Sequence, residues 1–245
     1  MSALRLATRS SPLAIAQARL VVERLSVLDV DSQLVEVVTQ GDRQRDVSLD
    51  EIGGQGVFAV EVQRAVLDGR ADVAVHSAKD LPSVTPDGLM LAAVPERRDA
   101  ADVLVGRSLA GLGPGATVAT GSPRRRALLL ERRPDLNVVG LRGNMATRLA
   151  SAGRDGVDAI VAAAAALERL GQRDLVAERL DPAWFVPQVG QGAIALETRV
   201  DDAVTRGVLA RFDLVGDHRC LRAERAFLRT PVSYTHLTLP TILRV

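Results

Sequence analysis

The fold class is indicated by residues Val73–Pro82, which have the sequence VAVHSAKDLP. This stretch begins as a short apolar run, continues into small and polar side chains, and stops at a proline, which cannot donate to a sheet ladder. Open α/β sheets place reactive side chains in this way, in loops after the carboxyl ends of their strands. Lys79 and Asp80 are therefore the first candidates for chemistry, although they could equally form a solvated turn before Pro82.

The composition is that of a globular chain of 245 residues, 47% of them hydrophobic, which suits one large or two small domains. The 31 basic and 30 acidic residues nearly cancel, so the basic surplus typical of nucleic-acid binding is missing. No uninterrupted apolar run reaches membrane-spanning length. We expect a cytoplasmic protein with neither a nucleic-acid nor a membrane partner.

Cysteine and histidine are scarce. The single cysteine, Cys220, excludes an internal disulfide, and the three histidines show no metal-ligand spacing. We predict no metal site. Cys220 lies on a predicted helix and is expected to pack against its neighbours rather than to react.

Strand-like runs alternate with helix-like segments, which is typical of α/β layering. A helix is predicted over about Pro12–Leu25, with Ser10 or Ser11 as its N-cap. Another is predicted over about Val57–Leu67, with Gly69 at its carboxyl end. The strand-like runs are Leu34–Thr39, Val73–Val75, Thr117–Ala119, Asn137–Leu141 and Asp158–Val161.

Two segments resemble each other, Leu6–Pro12 (LATRSSP) and Val118–Arg124 (VATGSPR). Each predicts a strand, a polar turn and the start of a helix, whose backbone N–H groups and positive dipole end attract anions. Two short matches can arise by chance, but together they favour two similar lobes that face each other across a cleft.

Arginine follows several of the predicted strands. Guanidinium stays charged, and its planar fork matches a carboxylate in a bidentate pair. The alternative is that an arginine-rich helix merely solvates one face, which is the expectation for Arg126, Arg132 and Arg133. The remaining arginines predict a polyanionic ligand of modest size, and they are Arg9, Arg124, Arg125, Arg142 and Arg148.

Two glycine-rich segments, Gly53–Gly56 and Val189–Ala193, are either flexible connections or places where the backbone approaches a ligand. Neither matches a P-loop or a dinucleotide fingerprint, so no nucleotide is predicted.

Four of these motifs together resemble the porphobilinogen deaminase, or hydroxymethylbilane synthase, family. They occur in the family's order within about Leu4–Thr230, namely Val75–Pro82, Thr120–Arg125, Leu141–Asn144 with Arg148, and Val189–Ala193. The resemblance implies a monomeric cytoplasmic transferase of tetrapyrrole and haem biosynthesis. Such an enzyme joins four porphobilinogen molecules head to tail and releases ammonia at each step. It also implies a dipyrromethane cofactor, held covalently by a cysteine.

The implied fold class is α/β, with two periplasmic-binding-protein-like lobes around a cleft and the start of a small, incomplete α+β third domain. Lobe 1 is expected over residues 1–95 and 193–212, lobe 2 over 96–192, and the third domain from 213 to 230. The family then continues into a Gly-Gly-Cys loop that anchors the cofactor, whereas residues 231–245 here read PVSYTHLTLPTILRV. We interpret 231–245 as a non-native tail and expect a truncated, inactive chain without the attachment site, for which Cys220 is not equivalent.

The resemblance also implies site residues. Asp80 matches the catalytic aspartate, which stabilises the cationic azafulvene left by ammonia loss and handles protons. Many relatives have lysine where this chain has Gln55, so one anion contact is expected to be missing or supplied elsewhere. The implied substrate and cofactor contacts are Arg9, Ser11, Ser77, Lys79, Thr120, Ser122, Arg124, Arg125, Arg142, Gly143, Asn144, Arg148 and Gln191.

Two other functions are open. The first is a non-catalytic two-lobe module that binds or senses a polycarboxylate. Against it, Asp80 would repel such a ligand, and neither a signal peptide nor a DNA-binding region is found. The second is an acyl-transfer enzyme using Ser77 and His76, which is disfavoured because adjacent strand residues point to opposite sides.

Overall fold

A computed structural model describes residues 3–39, 56 and 58–229. The chain divides into two compact units, unit 1 from residues 1–98 and 192–245 and unit 2 from residues 99–191. Within the described ranges, no helix combines the length and apolar character needed to cross a bilayer. Gln55 and the segment 231–245, on which two of the sequence interpretations fall, lie outside the described residues.

Strands and helices alternate along the chain, as the sequence predicts. In order, the elements are β1 (Leu4–Arg9), α1 (Pro12–Val27), β2 (Ser32–Val37), α2 (Val60–Leu67), β3 (Val73–Ser77), β4 (Leu89–Arg97), β5 (Asp102–Val105), β6 (Thr117–Ala119), α3 (Pro123–Arg132), β7 (Asn137–Val139), α4 (Met145–Ser151), β8 (Ala159–Ala163), α5 (Ala164–Arg169), β9 (Val176–Arg179), β10 (Ala193–Arg199), α6 (Ala203–Ala210) and α7 (Val215–Arg229).

Unit 1 contains a five-stranded sheet in the order β2-β1-β3-β10-β4. Strand β1 runs parallel to both β2 and β3, so the carboxyl ends of these three strands lie at one edge. Strand β10 lies antiparallel between β3 and β4. One face of the sheet packs on α1 through Leu6, Val75, Leu196, Val21 and Leu25.

Unit 2 repeats this plan with a sheet in the order β7-β6-β8-β5-β9. Strand β6 is parallel to β7 and β8, and β5 is antiparallel to β8 and β9. Leu129 of α3 and Phe185, both fully buried, pack with Val118 of β6 against one face. The similarity of the two sheets agrees with the repeated strand–turn–helix segments.

The helices begin where local sequence chemistry predicts. Ser11 caps α1 because its Oγ accepts a hydrogen bond from the Ala14 backbone N–H at 3.3 Å, and Pro12 occupies the first turn. Ser122 and Pro123 start α3 in the same way. Gly69 follows α2 with φ of +70°, a backbone conformation that glycine adopts readily.

Helix α7 is grouped with unit 1 and contacts its core. Leu221 is fully buried in a cluster with residues of β4 and β10, and Arg97 Nη1 donates to Glu224 Oε1 at 2.6 Å. Phe227, in contrast, is 64% exposed. Helix α7 therefore has an exposed apolar side chain at Phe227, whereas Leu221 is covered by unit 1.

Candidate functional site

The predicted residues of unit 1 lie at the carboxyl edge of the β1–β3 pair. Arg9 ends β1 and Ser77 ends β3, and these strands are adjacent and parallel. Lys79 and Asp80 follow immediately in a single 3-10 turn, Ala78–Asp80, and both side chains are partly exposed. A carboxylate and two cationic residues thus share one sheet edge.

Two contacts fix this edge. Ser77 Oγ donates a hydrogen bond to Oε1 of Gln17, a buried residue of α1, at 2.9 Å. The Arg9 guanidinium lies over the Phe58 ring, with 4.0 Å from its central carbon to the ring centroid. An aromatic face attracts a cation electrostatically, so Phe58 restrains the direction of Arg9. Ser77 and Arg9 are therefore held before any ligand arrives.

Below this edge lies a buried polar cluster that sequence analysis did not identify. His76 Nε2 is 3.3 Å from Glu197 Oε2, and Gln63 Nε2 donates to the same oxygen at 2.7 Å. Burial by itself raises the pKa of Glu197, but hydrogen bonding and charge from His76, with help from Gln63 and Arg225, hold that pKa below its ordinary value. The cluster ties β3 to β10 and α2.

The arrangement of His76 also bears on the acyl-transfer alternative. His76 is directed at Glu197 inside unit 1, whereas the Ser77 hydroxyl donates to Gln17. The two neighbours point to different partners, as alternation along a strand requires. They do not form a nucleophile–base pair.

In unit 2, the turn before α3 is built from Thr120, Gly121 and Ser122. Thr120 Oγ1 accepts from the Ser122 backbone N–H at 3.2 Å, and Ser122 Oγ accepts from the Arg125 backbone N–H at 3.4 Å. A Cβ at position 121 would lie 2.7 Å from the Leu141 carbonyl oxygen, so only glycine fits there. Both predicted hydroxyl residues therefore have local structural partners.

Arg124 and Arg125, at the start of α3, share one buried carboxylate. Arg124 Nη2 donates to Asp102 Oδ2 at 2.6 Å, and Arg125 Nη2 donates to Asp102 Oδ1 at 2.6 Å. Asp102 is fully buried. Burial raises the pKa of Asp102, but the charges and hydrogen bonds of the two arginines more than offset this and hold the pKa below its ordinary value.

Gln191, a predicted ligand contact, is fully buried. Its Nε2 donates to the Ala100 carbonyl oxygen at 2.6 Å and to Asp102 Oδ1 at 2.9 Å. Both hydrogen bonds that the Gln191 amide donates are therefore made inside unit 2. The Oε1 of Gln191 is buried and has no hydrogen-bond partner among the described residues.

The second arginine motif forms the loop between β7 and α4. Arg142 is exposed, and Arg148 Nε donates to the Gly143 carbonyl oxygen at 2.9 Å. Gly143 has φ of +94°, and Asn144 caps α4 by accepting from the Thr147 backbone N–H at 3.0 Å. The loop conformation is set locally and leaves the Arg142 side chain toward solvent.

Sequence reasoning missed Asp102, Gln17 and Glu197. Asp102 and Glu197 carried a usable signal, since each is an isolated acid beside an apolar run, in ADVLV and AIALE. Such an acid on a buried strand requires a partner. Two of the arginines that were expected only to solvate a helix face also bind the backbone of unit 2. Arg126 donates a hydrogen bond to the Val138 carbonyl oxygen, and Arg133 donates one to the Leu109 carbonyl oxygen.

Metal ligation has no support within the ranges that the structure describes. They contain no cluster of three or more His, Cys, Asp or Glu side chains that could hold an ion. Cys220 is exposed on α7, so the predicted packing role for its side chain is wrong.

Comparison with known proteins gives a consistent result. The family described as porphobilinogen deaminase, dipyromethane cofactor binding domain, matches residues 4–207. A porphobilinogen deaminase of Syntrophotalea carbinolica is 46% identical over 233 residues, which are 93% of this chain and 74% of the relative. A probable porphobilinogen deaminase of Methanopyrus kandleri is 46% identical over 231 residues, covering 92% of this chain and 78% of the relative.

Among solved structures, a nutrient binding protein from Burkholderia cenocepacia bound to methionine superposes with a TM-score of 0.51 at 13% identity. The match covers 93% of this chain and 95% of that one. At this identity the likeness concerns the fold alone. It agrees with the predicted α/β class of periplasmic-binding-protein-like lobes.

Proposed function

The chain belongs to the porphobilinogen deaminase family, and from this premise we propose that Asp80 is its catalytic carboxylate. The function of the family is hydroxymethylbilane synthesis in tetrapyrrole biosynthesis, the stepwise head-to-tail condensation of porphobilinogen with release of ammonia. Asp80 is the acid of the motif Val75–Pro82, and the observation that supports its role is its position in the turn after β3.

The chemistry requires a carboxylate at the reacting carbon. When the carbon–nitrogen bond of porphobilinogen breaks, its electron pair leaves with ammonia and the pyrrole unit becomes cationic. Attack by a second pyrrole moves positive charge to the ring nitrogen of the attacking unit until a ring proton is lost. A fixed carboxylate lowers the energy of both cations, and it can accept and return a proton. Asp80 supplies this group.

The arginines bind the substrate side chains. Porphobilinogen carries an acetate and a propionate, so each added unit brings two more carboxylates that need cationic partners. Arg9 in unit 1 and Arg124, Arg142 and Arg148 in unit 2 are proposed as these partners. Lys79, next to Asp80 in the turn, is proposed to contact a carboxylate as a point charge.

The residues present also fit the carboxylates of dipyrromethane, the cofactor for which the matched domain is described. In unit 2 two guanidinium groups face one carboxylate, which leaves one positive charge in excess, and the buried Arg124 Nε has no hydrogen-bond partner among the described residues. When bound, this cofactor supplies the primer to which the substrate units are added. Arg124, Thr120, Ser122, Arg142 and Arg148 are the unit 2 residues proposed to hold it.

We also propose that the protein is a monomer and that it is located in the cytoplasm, as the resemblance implies. Size-exclusion chromatography with light scattering tests the first. Fractionation of the source cells tests the second.

The alternative is a non-catalytic polycarboxylate-binding module. A nutrient binding protein shares the fold, but fold alone does not assign function. Asp80 favours the enzyme, since a carboxylate beside carboxylate ligands weakens binding and is useful only where positive charge develops.

The experiment that separates the two functions combines calorimetry and an ammonia assay with porphobilinogen. It uses the chain in which residues 231–245 are replaced by the corresponding C-terminal part of the Syntrophotalea carbinolica relative, because the present chain is expected to lack the cofactor attachment site. An enzyme binds porphobilinogen and releases ammonia with time, whereas a binding module saturates and releases none. Protein in which Asp87, an exposed acid before β4, is replaced by Asn serves as the control for surface charge. The same assay on Asp80→Asn then assigns the chemistry to that side chain.

A further inference from the structure

We propose that Asp102 is the positioning residue of the unit 2 site, that Arg125 acts only through it, and that Arg124 alone of this pair meets a ligand carboxylate. Resting on the proposed function, this assignment gives two adjacent arginines different tasks. Asp102 and Gln191 then contribute to substrate binding indirectly, because Gln191 holds Asp102 and Asp102 holds Arg124.

Asp102 collects four hydrogen bonds from three side chains. Its Oδ1 accepts from Arg125 Nε at 3.1 Å, from Arg125 Nη2 at 2.6 Å and from Gln191 Nε2 at 2.9 Å. Its Oδ2 accepts from Arg124 Nη2 at 2.6 Å. One buried carboxylate therefore joins β5, the first turn of α3 and the segment that precedes β10.

The Arg125 side chain donates its hydrogen bonds to groups inside unit 2. Two of its nitrogens donate to Asp102, and Nη1 donates to the Val161 carbonyl oxygen of β8 at 3.1 Å. Burial lowers the pKa of Arg125, and the neighbouring Asp102 charge counteracts that effect. Only 10% of its side chain is exposed. A ligand could bind Arg125 only by displacing bonds that the fold already uses.

Arg124 is more exposed than Arg125 and makes fewer bonds to Asp102. Its side chain is 26% exposed, and it gives one nitrogen to Asp102 and another to the Val186 carbonyl oxygen. Its Nε–H is buried with no acceptor among the residues that the structure describes. A buried donor without an acceptor is costly, and a carboxylate oxygen would satisfy it with a charge-assisted bond.

The charge balance explains why Asp102 is needed. Two guanidinium groups at the start of one helix repel each other, and the carboxylate between them offsets one charge while leaving the other for an incoming anion. Asn at position 102 keeps the shape but removes the negative charge. Arg125 would then be buried without its counter-ion, and Arg124 would lose the bond that sets its direction.

The test uses lysine variants and Asp102→Asn, with porphobilinogen as the probe and calorimetry as the measurement. Arg124→Lys keeps the charge but loses the Nε–H, and it should weaken porphobilinogen affinity about tenfold with the melting temperature nearly unchanged. Arg125→Lys should lower the melting temperature while the affinity of the folded protein changes by less than about threefold. Similar affinity losses for both lysine variants, with unchanged melting temperatures, would overturn the assignment.

Asp102→Asn tests positioning directly. It should weaken porphobilinogen affinity by about tenfold or more and should shift or broaden the Nε–H signal of Arg124 in proton–nitrogen NMR spectra. The matched control is Asp99→Asn, which breaks another arginine pair of unit 2, that with Arg179, and should change neither readout. An Arg124 signal and an affinity unchanged in Asp102→Asn would contradict the proposal.

Two results separate this inference from the proposed function. Failure of the wild-type chain to bind porphobilinogen would contradict the function, and the Arg124 NMR signal would still decide whether Asp102 positions that side chain. If Asp102→Asn does not fold, the two lysine variants decide the division of roles between Arg124 and Arg125.

Discussion

Gln63 and Glu197 are joined by a hydrogen bond of 2.7 Å between the amide Nε2 and the carboxylate Oε2, although they lie 134 positions apart in the chain. Both are buried, and His76 lies 3.3 Å from the same carboxylate oxygen. The carboxylate of Glu197 thus contacts both α2 and the strand β3, which ends at Ser77 shortly before Asp80. The stability of unit 1 should therefore depend on the charge of Glu197.

Glu197→Gln should lower the free energy of unfolding by about 1 to 3 kcal/mol near neutral pH, because the buried amide of Gln63 loses a charged acceptor and the buried Arg225 loses a nearby negative charge. Urea unfolding followed by circular dichroism measures this. Asp68→Asn is the control, since Asp68 forms an exposed 3.4 Å pair with Arg70 and should leave stability unchanged within error.

The difference in unfolding free energy between the wild type and Glu197→Gln should decrease at acidic pH. Because the pKa of Glu197 is lowered in the folded state, its contribution is fully present above the ordinary carboxyl pKa and is lost as pH falls through the lowered value. The wild-type advantage over Glu197→Gln should therefore shrink as the solution is acidified below about pH 4. An advantage that stays constant down to the acid transition would show that Glu197 is neutral in the folded protein.

Leu221→Ala should destabilise the packing of α7 on unit 1. Leu221 is fully buried, and truncating a buried leucine costs about 2 to 5 kcal/mol. Hydrogen exchange of the α7 amides should accelerate accordingly. Phe227→Ala, at a 64% exposed position of the same helix, should leave these amides nearly unchanged, and equal effects of the two variants would refute the packing described for α7.

Gly121→Ala should disturb the turn that starts α3. The added Cβ would lie 2.7 Å from the Leu141 carbonyl oxygen, and such overpacking costs about 1 to 3 kcal/mol. Since Ser122 and Arg124 follow directly, porphobilinogen affinity should fall as well. Gly113→Ala is the control because its Cβ would meet nothing within 4 Å, and loss of affinity there too would indicate a nonspecific effect.

The local parts of this structure could be predicted from sequence. Thr117–Ala119 forms a strand as predicted, and Ser11 caps α1, because strand and cap signals lie within a few residues. The predicted strand Val73–Val75 lies within β3, which continues two residues further to Ser77 before the turn that contains Asp80. Sequence motifs also gave the family, which the comparisons confirm.

The long-range parts could not be predicted. The antiparallel insertion of β10 between β3 and β4 brings together residues that are 96 to 123 positions apart, and no periodicity reports such a pairing. Likewise, Arg124 and Arg125 looked equivalent in sequence, and only their contacts with Asp102 and Val161 distinguish them. Partner choice in a buried ion pair depends on tertiary geometry, to which a single sequence gives no direct access.

The role of Asp80 in porphobilinogen condensation is tested most directly by porphobilinogen-dependent ammonia release from Asp80→Asn and its parent. Both are assayed as the present chain and with residues 231–245 replaced by the corresponding C-terminal part of the Syntrophotalea carbinolica relative, of which this chain matches 74%. We expect the extended parent to release ammonia and Asp80→Asn to reduce the rate at least about a hundredfold, with porphobilinogen still bound and the melting temperature unchanged. Ammonia release by the extended Asp80→Asn chain at the rate of the extended parent would show that Asp80 does not carry this chemistry.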